Sequence, residues 1–348
     1  MNLLHGVGDF FSLDIGTNSM RIVQLLGDEK RGWALSKYAY IPITEKLTTD
    51  QSDVGRKRLG EAIMGAVEQA GIKTKNIAVG LPASKTFTSI VETDTLPKKE
   101  LAKTFKYEID KYVPMPMNEA KADYIILGPS PNDPAKTEVL VSSVDKAYAE
   151  TTMETIEKAG LNIVAMEPEP LAMARSLSVP GAMDAIMIVD FGEKSTDIVI
   201  VYKNQPRLVR SIQGGFGNFV QTLSTGLSVR NDQARQFILK FGLAEDKIEG
   251  QVFKILSRSI ETYAGELAKS VRFFQTKYLN GKVGGIILTG YAGMIPLFSE
   301  YIEARTNIPT MNGNPWQSVR TTPEQQQALA SVASEFAVAI GLSERSND

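Results

Sequence analysis

The chain has no cysteine, one histidine, no long apolar run and no excess of charge of either sign. The missing cysteines exclude disulfides, thiolate catalysis and cysteine-ligated metals, and they fit a reducing compartment. With His5 as the sole imidazole, a Ser-His-Asp relay or a histidine metal site has almost nothing to work with. Lys and Arg number 38 against 40 Asp and Glu, so no global field draws the chain to nucleic acid or to an anionic membrane. The longest uncharged stretch, residues 283–299, contains Gly284, Gly285, Gly290, Gly293 and Pro296 and reads as strand, turn and helix start, not as a membrane span. The opening MNLLHGVGDFFSLDIG lacks the cationic start of an export signal, and the closing LSERSND offers no amphipathic anchor. What is present is a chain of 348 residues with 43% hydrophobic and 22% charged residues, enough for two domains or one fold with two lobes.

One short pattern occurs twice. LDIGTNSMRIVQLL (13–26) closes an apolar run on Asp and Gly, passes through hydroxyl and amide side chains, and enters a second apolar run; VDFGEKSTDIVIVY (189–202) does the same. Asp14, Gly16, Ser19, Ile22 and Val23 recur as Asp190, Gly192, Ser195, Ile198 and Val199, every pair 176 residues apart. Each copy continues into a third strand-like run, GWALSKYAYIPI from Gly32 and RLVRSIQ from Arg207. Two unrelated hairpins would also use Asp, Gly, Asn and Ser, but a bare hairpin needs only two turn residues. The economical reading is an internal duplication in which each lobe begins with a three-stranded antiparallel sheet.

A glycine-containing turn presents several backbone N–H groups to one side, which suits phosphate oxygens. Around Gly16 and Gly192, the side chains of Thr17, Asn18 and Ser19 and of Ser195 and Thr196 add donors. Asp14 and Asp190, each ending a strand at that mouth, suit the waters of a Mg²⁺ ion that keeps most of its hydration shell.

Between the copies, residues 53–70 read as an amphipathic helix closed by Gly71, and NIAVGLPA as a buried strand. SKTFTSIVETD alternates like a strand, PKKELAKTFKYEIDKYV places Leu101, Phe105, Ile109 and Tyr112 on one helical face, and ADYIILG and TEVLVSSV add two strands. Residues 84–145 therefore form a small insertion. A helix at 146–159 and a strand leading into a helix near Pro170 complete the first lobe. In the second, QGGFGNFVQTL reads as a glycine turn into a helix, DQARQFILKFG as a helix ended by Gly242, 247–278 as a long helix, and 324–340 as a last helix stopped by Gly341.

Asp14-Ile-Gly-Thr, Asp190-Phe-Gly and Thr289-Gly290, in this order, resemble the phosphate 1, phosphate 2 and adenosine motifs of the actin-like ATPase superfamily. Within it, YEIDKYVPMPMNEAKADY, EPEPLAMARSL, GGFGNFVQTL and ELAKSVRFF most closely resemble the family of type IV pilus assembly protein PilM, from about Phe10 to Gly341. The resemblance implies an α/β actin-like ATPase fold of two duplicated ribonuclease-H-like lobes with central mixed sheets and a small inserted α+β subdomain. The corresponding division is 10–83, the inserted 84–145 and 146–181 for the first lobe; 182–225, a helical 226–280 and 281–321 for the second; and 322–342 as a helix returning to the first.

It further implies a cytoplasmic scaffold, peripheral at the inner membrane through its partners, that binds ATP with Mg²⁺ between its lobes and hydrolyses it slowly at most. The implied partners are the N-terminal cytoplasmic peptide of a PilN-like membrane protein, taken beside the insertion, and the pilus motor ATPases, with no nucleic acid and no direct membrane insertion. By the same resemblance Arg21 approaches a γ-phosphate, or is a solvated strand residue; Gly214 and Gly215 lie near the ribose; Gly290 and Met294 lie under the base. Glu266 and Lys269 either contact ribose and adenine or form an ordinary ion pair three residues apart, and Glu169 either positions an attacking water or caps a helix. Glu193 and Lys194 depart from the smaller residues usual at the second phosphate turn. Asn2-Leu3-Leu4 echoes the partner peptide, which makes self-association through this arm an expectation to test by deleting residues 1–8. The competing functions are a filament or cell-division protein of the FtsA or MreB kind, and a metabolite kinase of the same superfamily.

Overall fold

A computed structural model of the chain describes residues 9–28 and 30–345; His5 and the arm at residues 2–4 lie outside them. In chain order the first elements are β1 (Phe11–Ile15), β2 (Ser19–Asp28), β3 (Gly32–Pro42), α1 (Glu45–Thr49), α2 (Asp53–Ala70) and β4 (Asn76–Leu81). Then follow β5 (Thr86–Asp94), α3 (Lys98–Glu108), β6 (Ala120–Pro129), β7 (Lys136–Asp145), α4 (Lys146–Lys158), β8 (Asn162–Pro168) and α5 (Glu169–Leu177). The second pattern opens β9 (Ala185–Phe191), β10 (Ser195–Tyr202), β11 (Gln205–Gln213), α6 (Phe216–Leu227), α7 (Asn231–Phe241) and α8 (Gln251–Lys277). The chain closes with β12 (Val283–Gly290), α9 (Phe298–Thr306), β13 (Thr310–Asn312), β14 (Val319–Arg320), α10 (Pro323–Leu329) and α11 (Ala337–Ser343). No helix among the described residues is long and apolar enough to cross a membrane.

The chain divides into two compact units: 1–176 with 316–323 and 338–348, and 177–315 with 324–337. In the first, a six-stranded sheet runs β14-β3-β2-β1-β4-β8; in the second, a five-stranded sheet runs β11-β10-β9-β12-β13. The order β3-β2-β1-β4-β8 is matched by β11-β10-β9-β12-β13, antiparallel on one side of β1 and β9 and parallel on the other. This repeated topology is the structural form of the duplicated sequence pattern. In open sheets of this kind ligands gather at the carboxyl ends of the parallel strands, which is where both polar turns sit.

Alternation sets the faces. Leu13, Met20 and Ile22 are fully buried with Ile63, Ala66 and Val67 of α2, so Asp14 and Arg21 take the opposite face. There Ser12 Oγ donates to Ala339 O at 2.6 Å and Ser343 Oγ to Ser12 Oγ at 2.8 Å, joining β1 to α11. In the second unit Val189, Phe191, Ile198 and Ile200 pack with α6 and α8, and Phe191 touches Phe219 at 5.0 Å and Tyr263 at 4.9 Å between ring centres. Each fully buried aromatic of this kind contributes roughly 2–3 kcal/mol, and Phe191 anchors the strand end that carries Asp190.

Helix α2 has the bounds its pattern predicts, with Ser52 Oγ accepting from Gly55 N at 3.1 Å and Gly71 at φ 67° ending it. The insertion forms its own sheet, β5-β7-β6, with Leu101, Phe105 and Ile109 of α3 and the following turn buried. The single helix expected over 324–340 is instead α10, a 3₁₀ turn over Ala333–Phe336 and α11. Thr289 Oγ1 donates to Ser334 O at 2.6 Å and Ser334 Oγ to Gly290 O at 3.1 Å, contacts that draw residue 334 to the end of β12. Nor does Gly341 stop the helix: it lies inside α11, where a Cβ would fall 1.8 Å from Ala172 O, so it is a close-packing residue.

Candidate functional site

The two hairpins superpose in their hydrogen bonding. Gly16 N donates to Ser19 O at 3.0 Å, and Gly192 N to Ser195 O at 3.0 Å. Ile43 N, just past β3, donates to Asn18 O at 2.9 Å, and Gly214 N, just past β11, to Lys194 O at 3.0 Å. Asp14 stands opposite Arg21 in the register, and Asp190 opposite Asp197. Residues directly opposite in an antiparallel pair share a face, so each turn carries an aspartate with a charged neighbour beside it.

In the first hairpin that neighbour is a cation. Arg21 Nε donates to Asp14 Oδ2 at 2.8 Å and Nη1 to Ser19 Oγ at 2.7 Å. The side chains are 11% and 3% exposed, so the pair is removed from water. Burial pushes the Asp14 carboxyl up, and Arg21 opposes that push. A Cβ on Gly16 would lie 2.7 Å from Arg21 Nη2, so the guanidinium lies against the turn. Thr17 and Asn18, at the tip, are half-buried.

In the second hairpin the neighbour is an acid. Asp197 accepts from Ser211 Oγ at 2.6 Å, and burial pushes its carboxyl to about 6 despite that bond. Asp197 is the residue that sequence reasoning passed over. It sits 176 positions after Arg21, but an Arg paired with an Asp gives no identity to notice. Thr196 is fully buried and its hydroxyl donates to Gly214 O at 2.9 Å, so it tethers the glycine turn.

The second turn is gripped from behind. Phe216 N donates to Gly192 O at 2.8 Å, Gly217 N to Glu193 O at 2.9 Å, and Gly214 N to Lys194 O. The peptide group is planar and trans, so a carbonyl held on one side turns the next N–H to the other. The N–H groups of Glu193 and Lys194 therefore point away from α6. Gly214, at φ 108°, has the conformation this return requires, and a Cβ on Gly215 would fall 2.3 Å from Gly192 O. At the end of β12, Gly290 adopts φ 63°, and a Cβ there would lie 2.2 Å from Asp190 Oδ1. Met294 ends the short 3₁₀ turn that follows.

Glu266 takes Lys269 Nζ at 2.6 Å and Arg210 Nη2 at 3.1 Å, while Arg210 Nη1 reaches Ser270 Oγ at 3.1 Å. These hydrogen bonds, that of Lys269 foremost, hold the Glu266 carboxyl below the usual range. Glu169 opens α5 in the first unit, where its Cγ would lie 3.1 Å from a Cβ on Gly80. Among the described residues no group of three or more His, Cys, Asp and Glu side chains is arranged to hold a metal. Asp190 and Asp197 stand opposite each other in the register, and their carboxylates are oxygen donors of the kind that a hydrated Mg²⁺ accepts.

Comparison with known proteins agrees with this architecture. A family model described as "Type IV pilus assembly protein PilM" matches residues 12–347. The solved structure of a PilM-PilN type IV pilus biogenesis complex is similar at TM-score 0.81 and 19% identity, covering 97% of this chain and 98% of that one. The ethanolamine utilization protein EutJ from Carboxydothermus hydrogenoformans is similar at TM-score 0.57 and 13% identity, over 97% and 90% of the two chains. MreB5 of Spiroplasma citri, solved with ADP, is similar at TM-score 0.56 and 12% identity, over 96% and 94%. The fold is that of the actin-like ATPases.

Proposed function

We propose, for a chain that belongs to the type IV pilus assembly protein PilM family, that it is a nucleotide-binding scaffold that takes a short peptide of a PilN-like membrane protein. The observation that carries the nucleotide reading is the matched pair of hairpins, each with a glycine turn closed by the same hydrogen bonds and flanked by an aspartate. In this reading the outward amides of Glu193 and Lys194, with Ser195, take phosphate oxygens of ATP. Thr17, Asn18 and Ser19 do so in the first unit, where Arg21 adds positive charge, and Gly16 and Gly192, whose N–H groups close the turns, let the chain approach the phosphates. Gly214 and Gly215 border the ribose, Gly290 and Met294 the base, and Glu266 and Lys269 the ribose or the base. Thr196 acts through Gly214.

Asp14 and Asp190 would hold a hydrated Mg²⁺, with Asp197 beside Asp190; the ion supplies charge neutralisation for the phosphates. Asp14 does this while paired to Arg21, so its carboxylate is held in place before any ion arrives. Glu169 is the residue proposed to orient a water. The peptide is proposed to lie beside the insertion, whose exposed large apolar side chains include Tyr107, Met117 and Ile125. An extended peptide is a small partner whose binding can follow a shift between nucleotide-selected conformations. Association with the membrane is then indirect, through the PilN-like protein.

The test is fluorescence anisotropy of a labelled N-terminal peptide of the PilN-like protein, with and without Mg·ATP, on the wild-type chain and the Asp14→Ala/Asp190→Ala variant. Micromolar binding that responds to ATP in the wild type alone is expected. Absence of peptide binding with ATP still bound overturns the peptide reading and leaves the nucleotide reading standing.

A further inference from the structure

Glu193 puts a carboxylate in a turn meant for phosphate, and the surrounding side chains hold it in a particular way. Its Oε1 accepts from Arg235 Nη2 of α7 at 2.5 Å, and its Oε2 is buried without a hydrogen-bond partner. A Cβ on Gly217 would lie 3.0 Å from both Glu193 O and Glu193 Oε1. The carboxylate is thus folded onto the α6 side of the turn, the side its carbonyls face, and away from the outward amides. The Arg235 guanidinium lies 4.9 Å from the centre of the Phe216 ring and 5.5 Å from that of Tyr291. Those two rings stack at 4.3 Å with 16° between planes. Phe216 opens α6 and Tyr291 follows Gly290, so one cation is seated on the elements behind both turns.

We propose that Arg235 is a positioning residue for nucleotide binding: it neutralises Glu193 and keeps that carboxylate turned back against α6, so that the amides of the turn meet a phosphate instead of an internal anion. The inference rests on the nucleotide reading above. Without Arg235, a carboxylate released beside two outward N–H groups becomes a tethered competitor for them and repels the incoming polyphosphate. The effect is electrostatic and local to the phosphates, so it acts equally on a ligand that has no base.

Binding of Mg·ATP and of Mg-tripolyphosphate is to be measured by calorimetry on the full chain as wild type, Arg235→Ala, Arg235→Lys and Arg235→Ala/Glu193→Gln, with melting curves alongside. Arg235→Ala is expected to weaken both ligands tenfold or more, Arg235→Lys to weaken them less, and Glu193→Gln to restore both in the Arg235→Ala background. Loss that Glu193→Gln leaves unrescued, in chains that melt cooperatively, overturns the proposal in favour of a purely structural brace. Loss for ATP with tripolyphosphate unaffected overturns it in favour of a base contact. A wild-type chain that binds neither ligand overturns the nucleotide reading and this proposal with it.

Discussion

The hairpins at Asp14 and Asp190 share a register, a turn closure and a third strand, yet one sets its aspartate beside Arg21 and the other beside Asp197. The backbone was kept while the charge across from each aspartate reversed. The first hairpin carries its own counter-charge: a buried ion pair whose guanidinium lies against the turn. The second sets another acid beside its aspartate, with the charge of Glu193 balanced from α7. A polyphosphate with a cation needs both kinds of surface, donors and positive charge for its oxygens and carboxylates for the ion's waters. The two copies have therefore kept one backbone and opposite chemistry at the position across from the aspartate.

The largest effect should come from breaking the first pair. Asp14→Ala leaves Arg21 buried without its carboxylate and is expected to destabilise the fold by about 3–5 kcal/mol, read as a lower urea midpoint. Arg21→Met in the same chain should recover most of that loss, because no uncompensated charge remains. Equal destabilisation of single and double variants would mean that the pair is not what holds this hairpin.

Next comes the acid of the second hairpin. The folded-state value of Asp197, about 6, lies above its ordinary 3.8, so its contribution is fully present below pH 3.8 and is lost as pH rises through 6. Asp197→Asn, which keeps an acceptor for Ser211, should stabilise the chain by about 2–3 kcal/mol above pH 7 and flatten the slope between pH 4 and 6. Urea titrations across that range decide it, and an unchanged slope assigns the pH dependence elsewhere.

A smaller effect is expected at Gly215→Ala, whose Cβ falls 2.3 Å from Gly192 O. Its backbone is extended, so the cost is steric, about 1–3 kcal/mol, with weakened ATP binding as the grip on the turn loosens. Smallest is Lys269→Ala, which removes one half-exposed partner of Glu266 and should cost under about 1 kcal/mol. A tenfold loss of ATP affinity there with unchanged stability would assign Lys269 to the ligand; no loss would leave it an intrahelical ion pair.

The comparison also separates what residues disclose in sequence from what they conceal. The duplication was legible because Asp, Gly, Ser and two β-branched residues recur at one spacing, and strand alternation then sets the faces. The reversed charge was concealed because Arg21 and Asp197 share a place and no chemistry. The Glu193–Arg235 pair joins residues 42 positions apart on a turn and a helix, beyond any local pattern. The break between α10 and α11 follows from side-chain bonds between Thr289, Gly290 and Ser334, which compete with a helix that the periodicity alone would have continued.

The most direct test of the central claim is an equilibrium titration of the full chain with ATP, with and without Mg²⁺, comparing wild type with Asp190→Ala. Micromolar binding that requires Mg²⁺ and is lost in Asp190→Ala is the predicted result. Binding that is indifferent to both the ion and this carboxylate, or no binding at millimolar ATP, would contradict it.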